Sequence, residues 1–274
     1  MKHFYIVVNA EKKMASHTRQ TVESILSVMD GVTFETWDGP RQGHYDLPED
    51  TDCIITIGGD GTLIQTARAT VGSGIPILGI NRGHLGYLTE LQKEEDIEPA
   101  LRRLVADDYR LESRMMLDAD VKRDGKAVFH DIALNEALLG RQNALRAIDF
   151  CVYVNGRLLN EYCADGIMIA TPTGSTAYSL SAGGPIAKPQ AQLMIMTPIC
   201  SHAVNARSII LSPGDIVTFV PKTENQLLSC DGDSVESLLC GDEVVIRRSA
   251  HTTKLVRLEN ESFLDTLRNK MTSV

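Results

Sequence analysis

The sequence predicts an α/β N-terminal domain with a parallel, Rossmann-like sheet, followed by a mostly antiparallel, all-β C-terminal domain. In the first 106 residues, short apolar runs rich in β-branched side chains alternate with segments of helical periodicity, which is typical of a parallel sheet wrapped by helices. From residue 107 onwards, period-two segments follow one another with turn residues between them, as in antiparallel sheets. We therefore predict domains at 1–106 and 107–258.

The N-terminal domain is predicted to alternate strands with helices. One long helix is indicated by apolar residues at helical spacing, Val22, Ile25, Leu26 and Met29. The segment 38–52 is rich in glycine and proline and is predicted to be a loop. The predicted strands are 4–9, 32–37, 53–57 and 75–80, and the predicted helices are 14–29, 63–71 and 96–105.

The C-terminal domain is predicted to consist of short strands. Asp124-Gly125 and Asn155-Gly156 are turn signals, and the second is typical of a hairpin. A last segment, 262–271, places Phe263, Leu264 and Leu267 on one face and is predicted to be a helix that packs back on a neighbour. The predicted strands are 116–123, 127–139, 147–154, 157–163, 167–171, 209–211, 216–221, 226–231, 243–248 and 254–258.

Composition narrows the classes of function. The net charge of the 274 residues is −9, which argues against nucleic acid as the main partner, and no apolar run approaches the length of a membrane span. The six cysteines form no Cys-x-x-Cys pair, and the seven histidines show no metal-ligand spacing. The N-terminus is predicted to be a strand, not a signal peptide. We expect a cytoplasmic protein with reduced thiols and no nucleic-acid or membrane partner.

A glycine turn with one carboxylate stands out after the predicted strand 53–57. Gly58, Gly59 and Gly61 leave main-chain N–H groups accessible to a ligand, and the helix that follows offers an anion site at its N-terminus. Asp60 does not suit such a site, because a carboxylate repels phosphate unless a magnesium ion or a substrate hydroxyl lies between them. A structural βα turn also fits this pattern, whereas a hairpin does not, since no alternating strand follows.

Two other segments place polar residues where a ligand could bind. The segment 81–88 follows the strand 75–80. Ligands of open α/β sheets lie beyond the carboxyl ends of the strands, so we expect this loop to face the same crevice as Asp60; a glycine-rich connection without a ligand fits as well. Asn135-Glu136 interrupts an apolar strand, and such a pair needs hydrogen-bond partners when buried. Considered by itself, the Asn135-Glu136 pair favours a structural role.

A hydroxyl-rich segment follows Asp165-Gly166 and the predicted strand 167–171. Residues 171–179 carry six hydroxyl side chains, and Gly183-Gly184-Pro185 comes shortly afterwards. Helix capping accounts for one or two hydroxyls, so we favour a ligand site in which Tyr178 stacks on a base. By contrast, 231–233, Asp-Gly-Asp, is predicted to be a plain hairpin turn.

Three common motifs are absent from the sequence. There is no Gly-x-x-x-x-Gly-Lys-Ser/Thr loop, no Gly-x-Gly-x-x-Gly fingerprint and no Gly-x-Ser-x-Gly elbow. Assignments as a P-loop nucleotide-binding protein, a standard dinucleotide-binding fold or an α/β-hydrolase therefore have no support.

Taken together, these segments resemble the NAD kinase family. Gly-Gly-Asp-Gly-Thr alone is also similar to lipid kinases and phosphofructokinases, whereas Thr-Pro-Thr-Gly-Ser-Thr-Ala-Tyr followed by Gly-Gly-Pro is specific. In the segment Cys200-Ser201-His202 the family usually has proline at the position of Ser201, so no role is assigned to His202. The matching pieces are 58–62, 81–89, Asn135-Glu136, Asp165-Gly166 and 171–185.

The resemblance implies that ATP, with Mg²⁺ or another divalent cation, phosphorylates the adenosine-ribose 2′-hydroxyl of NAD to give NADP. It implies that Asp60 is the base, that residues 259–274 complete the N-terminal domain, and that the protein is a homotetramer or homodimer. We assign the donor phosphates to Gly58, Gly59, Gly61 and Thr62, and expect no metal site made by a side-chain cluster alone. The NAD-binding residues are expected to be Asp60, Gly61, Asn135, Glu136, Asp165, Thr173, Thr176, Ala177, Tyr178 and Ser181.

Alternatives to this function stay open at the level of sequence. A lipid or sugar kinase shares the glycine turn but leaves the segment 171–181 without an adenine to bind. A dinucleotide sensor would bind NAD without turnover. Polyphosphate in place of ATP is an alternative phosphate donor, and NADH an alternative acceptor.

Overall fold

The computed structural model describes residues 1–10, 14–37, 45–83, 86–142, 146–203, 206–258 and 263–272. The chain forms two compact units, the first Met1–Arg114 with Thr252–Val274 and the second Met115–His251. The predicted domains, 1–106 with 259–274 and 107–258, divide the chain at other residues and stay a prediction. Parts of three predicted elements, residues 38–44, 84–85 and 262, lie outside the described residues.

The first part of the chain alternates strands and helices. Its elements are β1 (His3–Val8), α1 (Ala15–Ser27), β2 (Thr33–Trp37), β3 (Cys53–Ile57), α2 (Asp60–Ala69), β4 (Ile77–Ile80), a 3₁₀ turn (Glu94–Asp96) and α3 (Ile97–Val105).

The rest of the chain is mostly strands. They are β5 (Arg110–Arg123), β6 (Lys126–Ala133), β7 (Glu136–Arg141), β8 (Ile148–Val154), β9 (Arg157–Ala164), β10 (Gly166–Ala170), β11 (Met194–Ile199), β12 (Ile209–Leu211), β13 (Val217–Pro221), β14 (Gln226–Cys230), β15 (Ser234–Leu238) and β16 (Glu243–Arg257). A 3₁₀ turn (Gly174–Thr176) and the short helix α4 (Tyr178–Ser181) lie between β10 and β11, and α5 (Phe263–Thr272) follows β16.

The first unit is built on a parallel sheet. Its strands run in the order β2–β1–β3–β4, and Leu255 of β16 pairs in parallel with Ile77 of β4. β3 and β4 are buried along their whole length, as expected for strands covered on both faces. The apolar faces of α1 and α3 pack into the same core. The predicted α/β class of the N-terminal domain is confirmed.

The second unit is antiparallel. One set of strands runs in the order β12–β11–β10–β7–β14–β15. A second set runs β16–β13–β8–β9, and β5 pairs with β6. Side chains from both sets form one apolar core, in which Phe150 contacts the rings of Tyr162 and Phe219. The predicted antiparallel β class is confirmed.

Several predicted elements need correction. The strands β11 and β15 were not predicted; β11 contains Pro198, which cannot donate to a strand ladder and makes its sequence less typical of a strand. The predicted strand 127–139 is two strands, β6 and β7, separated by a bend at Leu134 and Asn135. The predicted strands 243–248 and 254–258 are one continuous strand, β16.

Helix α2 begins three residues earlier than predicted, and this earlier start includes Asp60 in the helix. The sequence predicts a helix from residue 63, but α2 begins at Asp60. Gly59 is in the extended conformation at the N-cap, and Thr62 N–H donates to its carbonyl at 3.0 Å. Asp60 therefore lies in the first helical turn, where the unpaired N–H groups and the helix dipole stabilise a negative charge.

The predicted hairpin turns are present. Asp124 and Gly125, Asn155 and Gly156, and Asp231 and Gly232 all have positive φ angles, between 51° and 77°. Each pair lies between two adjacent antiparallel strands. The first two pairs form two-residue hairpin loops, which favour Asn-Gly and Asp-Gly, whereas the loop between β14 and β15 has three residues, 231–233.

The C-terminal helix packs on the first unit, as predicted. The ring of Phe263 lies 6.4 Å from the ring of Tyr87, centroid to centroid, and Lys270 Nζ lies 4.0 Å above the Tyr87 ring. An ammonium group over an aromatic face is an attractive cation–π contact.

Among the described residues, no helix combines the length and apolarity needed to cross a membrane.

We expect Phe150→Ala to lower the free energy of unfolding by about 3–5 kcal/mol, because it removes a fully buried ring from the core of the second unit. Urea unfolding followed by circular dichroism measures the change. Leu158→Ala, at a site that is 55 % exposed, is the matched control and should cost less than about 1 kcal/mol. Equal losses for the two variants would contradict this account of the core.

Candidate active site

The carboxylate of Asp60 is held by the main chain of a loop. One oxygen, Oδ2, accepts the N–H of Tyr87 at 2.7 Å. The other, Oδ1, accepts the N–H groups of Leu88 and Thr89 at 3.3 Å each, and the Thr89 hydroxyl at 3.4 Å. The loop 81–88, which was predicted to face Asp60, does so through its described part. Three of the four donors are main-chain N–H groups, which no side-chain pattern in the sequence indicates.

This close approach requires a residue without a side chain at position 86. A Cβ atom on Gly86 would lie 2.1 Å from Asp60 Oδ1 and 2.5 Å from the Thr89 hydroxyl, far inside van der Waals contact. Gly79 is similarly constrained, because its Cβ would lie 2.9 Å from the Thr89 main chain. The glycines of strand β4 and of the loop after it therefore let the main chain wrap around the carboxylate.

Only part of the glycine turn is available to a ligand. Gly58 donates its N–H to the Ile80 carbonyl at 2.9 Å, and a Cβ on it would meet the Thr62 hydroxyl at 2.3 Å. For Gly59 and Gly61, no described atom outside the adjacent residues and the backbone of the same helix lies within 4 Å of a Cβ position, so these faces are open to that extent. Of the four residues predicted to cradle phosphate, Gly59 and Gly61 have the accessible main chain, whereas Gly58 and Thr62 hold the turn together.

A buried group of charged side chains lies beside the same loop and was not predicted. Arg257, at the end of β16, donates to Glu112 at 3.0 Å, to Glu90 at 2.9 Å and to the Leu88 carbonyl at 3.1 Å. Arg114 is 3 % exposed and lies 2.9 Å from Glu112. Burial lowers the pKa of Arg114 to about 10. In the sequence, this cluster of charged side chains is indicated only by charged residues that stand next to apolar strand residues.

In the second unit, Asp231 holds the bend at Asn135. Its carboxylate accepts the N–H groups of Leu134 and Asn135 at 2.7 Å and of Glu136 at 3.1 Å. The prediction of a plain hairpin turn at 231–233 is correct as far as the backbone is concerned. It is incomplete, because the Asp231 side chain also fixes the pair Asn135-Glu136.

Glu136 is buried beside this carboxylate. Its side-chain oxygen Oε2 is inaccessible to solvent and has no hydrogen-bond partner among the described residues. Burial, and then the negative charge of Asp231, raise the pKa of Glu136 to about 8. A buried polar atom without a hydrogen-bond partner costs stability.

Most of the hydroxyl groups in the hydroxyl-rich segment have structural roles. Thr171 donates to the Leu134 carbonyl at 2.6 Å, and Ser175 donates to Pro172 at 2.7 Å. Thr176 donates to the Thr173 carbonyl at 3.3 Å, and the Ser179 hydroxyl lies 3.5 Å from the Thr197 hydroxyl. At least four of the six hydroxyls are thus engaged within the protein. None caps a helix, contrary to the expectation of one or two caps.

The same segment is packed against Asn135. Thr171 N–H donates to the Asn135 carbonyl at 2.8 Å, and a Cβ on Gly174 would lie 2.1 Å from that oxygen. The structure therefore brings the hydroxyl-rich segment next to Asn135-Glu136, two predicted site regions that are far apart in sequence. On its outer side, Tyr178 is 44 % exposed and Ser181 is exposed, while Ala177 and Thr176 are half-buried and Thr173 is buried.

Asp165 has a partner within the protein. Its carboxylate lies 3.1 Å from the guanidinium of Arg141, and its carbonyl accepts the Arg141 N–H at 3.1 Å. His202, to which no role was assigned, has Nδ1 3.6 Å from the Cys163 sulfur. The described residues contain no group of three or more histidine, cysteine, aspartate or glutamate side chains arranged to hold a metal ion.

Comparison with protein families covers nearly the whole chain. Residues 1–109 match a family model described as the ATP-NAD kinase N-terminal domain, and residues 134–258 match the ATP-NAD kinase C-terminal domain. A relative named NAD kinase from Lachnospira eligens is 40 % identical, with 99 % of this chain and 100 % of the relative covered. One from Agathobacter rectalis is 39 % identical, with 99 % of each covered.

Solved structures show the same fold. The crystal structure of yeast NADH kinase complexed with NADH has a TM-score of 0.85 and 24 % identity, covering 100 % of this chain and 87 % of that one. The structure of an NAD kinase from Archaeoglobus fulgidus in complex with ATP has a TM-score of 0.79 and 24 % identity, covering 100 % of both chains.

We expect Glu136→Gln to gain stability relative to the unchanged protein as the pH rises. Because folding raises the pKa of Glu136 from 4.5 to about 8, its carboxyl contributes fully to folding below about pH 4.5 and loses that contribution as the pH approaches 8. Glutamine does not ionise and suffers no such loss. Urea unfolding of both proteins at about pH 5 and about pH 9 measures the change. The same difference at both pH values would contradict a raised pKa.

Proposed function

Because the chain belongs to the NAD kinase family, we propose that it transfers the terminal phosphate of ATP to the 2′-hydroxyl of the adenosine ribose of NAD, giving NADP and ADP. The observation that carries this proposal is the fixed carboxylate of Asp60, in the first turn of α2 and beside two glycines with open faces. A phosphate site next to a carboxylate suits a reaction in which a hydroxyl group accepts the phosphate.

The proposed reaction is a single displacement. The 2′-oxygen of the ribose forms a bond to the γ-phosphorus, the bond from that phosphorus to the β–γ bridging oxygen breaks, and ADP leaves with the electron pair. The proton of the 2′-hydroxyl passes to the Asp60 carboxylate. The transition state of phosphoryl transfer is loose, so we expect Asp60 chiefly to orient the hydroxyl and to take its proton late.

The donor phosphates are proposed to bind at the first turn of α2. There the main-chain N–H groups near Gly59 and Gly61 and the positive end of the helix favour an anion. The divalent cation that accompanies ATP would be held mainly by the phosphates, since the described residues form no three-ligand cluster for it. When bound, it neutralises charge on the phosphates.

The dinucleotide is proposed to bind the polar surface of the second unit. The residues proposed to bind NAD are Asn135, Glu136, Asp165, Thr173, Thr176, Ala177, Tyr178, Ser181, Asp60 and Gly61. Support comes from the packing of the hydroxyl-rich segment against Asn135 and from the exposed ring of Tyr178.

We further propose that the protein is a cytoplasmic homodimer or homotetramer without nucleic-acid or membrane partners. Polyphosphate is proposed as an alternative phosphate donor.

One assay distinguishes this function from its rivals. Purified protein is incubated with NAD, ATP and Mg²⁺, and NADP is measured with a coupled dehydrogenase. A lipid or sugar kinase would leave NAD unphosphorylated. A dinucleotide sensor would form no NADP either, but NAD would raise its melting temperature. Formation of NADP supports the proposal, and its absence contradicts it.

We expect Asp60→Asn to lower turnover by at least about 10²-fold, in the range of general-base contributions. The substitution keeps the shape of the side chain and removes its charge. Isothermal titration calorimetry tests whether NAD binding is retained. Turnover within about threefold of the unchanged protein, with NAD still bound, would show that Asp60 is not the base.

Tyr178→Ala is expected to raise the KM for NAD by about tenfold or more, because stacking of a base on an aromatic ring is worth about 1–3 kcal/mol. The ring is exposed, so the fold should tolerate its loss. Tyr178→Phe keeps the ring and is the control, with a KM close to that of the unchanged protein. If both variants or neither raise the KM, stacking is not the role of this ring.

A further inference from the structure

We infer that Arg257 is a positioning residue for Asp60 and that it acts through the peptide group between Leu88 and Thr89. This inference rests on the proposed function, in which Asp60 orients the substrate hydroxyl. Arg257 does not itself contact the Asp60 carboxylate in any described hydrogen bond or ion pair. The peptide group between Leu88 and Thr89 separates Arg257 from the Asp60 carboxylate.

The peptide group is held from both sides. Its carbonyl, on Leu88, accepts the Arg257 Nη1 at 3.1 Å, and its N–H, on Thr89, donates to Asp60 Oδ1 at 3.3 Å. A trans peptide is planar, and its C=O and N–H point in opposite directions. Movement of the carbonyl therefore moves the N–H that holds the carboxylate. Donation by a charged guanidinium also polarises the peptide and strengthens its N–H as a donor.

Arg257 is itself fixed by two glutamates. Its Nε donates to Glu112 at 3.0 Å and its Nη1 to Glu90 at 2.9 Å. Glu90 in turn accepts the N–H of Leu258 at 2.7 Å, which ties it to the end of β16. The side chain of Arg257 is 16 % exposed, and those of Glu90 and Glu112 are 9 % and 17 % exposed.

The geometry of this cluster suits arginine and not lysine. A planar guanidinium with several donors can bind two carboxylates and a carbonyl at once, whereas an ammonium on a flexible chain cannot reproduce those directions. The positive charge alone would be kept by lysine. Arg257→Lys therefore separates the positioning of the peptide group from a general electrostatic effect on Asp60.

The test compares Arg257→Lys with Arg123→Lys. Arg123 makes the same kind of contact elsewhere, with two bonds of 2.9 and 2.8 Å to the buried carboxylate of Asp242 and one of 3.5 Å to the Ser237 carbonyl. We expect Arg257→Lys to lower kcat by about 10²-fold, the cost of a small misplacement of a reacting group, with KM values for NAD and ATP within about threefold. Arg123→Lys should leave kcat within about twofold. Equal kcat losses in the two variants, or none at Arg257, would overturn the inference.

A double-mutant cycle with Asp60→Asn tests the route of the effect. If Arg257 acts through Asp60, adding Arg257→Lys to Asp60→Asn should lower kcat by less than about threefold further. A further loss as large as in the unchanged background would show that Arg257 acts independently of Asp60. Should Arg257→Lys fail to fold, Glu90→Gln weakens the support of Arg257 while keeping a side-chain oxygen that can accept the Leu258 N–H, and the same cycle applies with a smaller expected loss.

Amide hydrogen exchange separates this inference from the proposed function. In Arg257→Lys the amide protons of Tyr87, Leu88 and Thr89 should exchange at least about tenfold faster than in the unchanged protein, while those of β3 should not change. This readout does not depend on turnover. Absence of NADP formation by the unchanged protein would contradict the proposed function, whereas unchanged exchange of the three amides would overturn the inference about Arg257.

Discussion

The hydrogen bonds between the Asp60 carboxylate and three consecutive main-chain N–H groups, of residues 87–89, are the interaction on which the first unit's site depends. They require Asp60 to stand at the start of α2, and they require Gly86 to lack a side chain. Tyr87 donates its N–H to Asp60 while its ring contacts Phe263 and Lys270 of α5. The carboxylate, the loop and the C-terminal helix therefore meet at one short segment.

The second unit uses the same physical device for another purpose. Asp231 accepts three consecutive N–H groups of residues 134–136, as Asp60 accepts those of 87–89. Charge-assisted hydrogen bonds to main-chain donors are strong and satisfy groups that a bend would otherwise leave unpaired. At Asp231 the consequence is electrostatic, because the retained negative charge adds to burial in raising the pKa of Glu136. Each unit thus has one carboxylate bound by three consecutive main-chain N–H groups, Asp60 in the first unit and Asp231, beside Asn135-Glu136, in the second.

The hydroxyl-rich segment shows how a functional pattern can have a structural cause. The number of hydroxyls suggested a ligand surface, but at least four of the six are engaged inside the protein. These internal contacts shape a tight, irregular stretch between β10 and α4, which lies against Asn135 and leaves the ring of Tyr178 exposed. The inner hydroxyls build the surface, and the exposed side chains on it are the ones available to a ligand.

By itself, the sequence determined the fold class, the hairpin turns and the family. Buried parallel strands, period-two segments and Asp-Gly or Asn-Gly turns carry local signals, since each depends on neighbouring residues. The strand β11 was missed because its proline obscured that local signal. The tertiary structure alone decided the first-turn position of Asp60, the acceptor role of Asp231 and the contacts of Arg257, which join residues 169, 167 and 145 positions apart. Main-chain donors and buried ion pairs have no sequence pattern, because their partners are chosen by packing and not by neighbours along the chain.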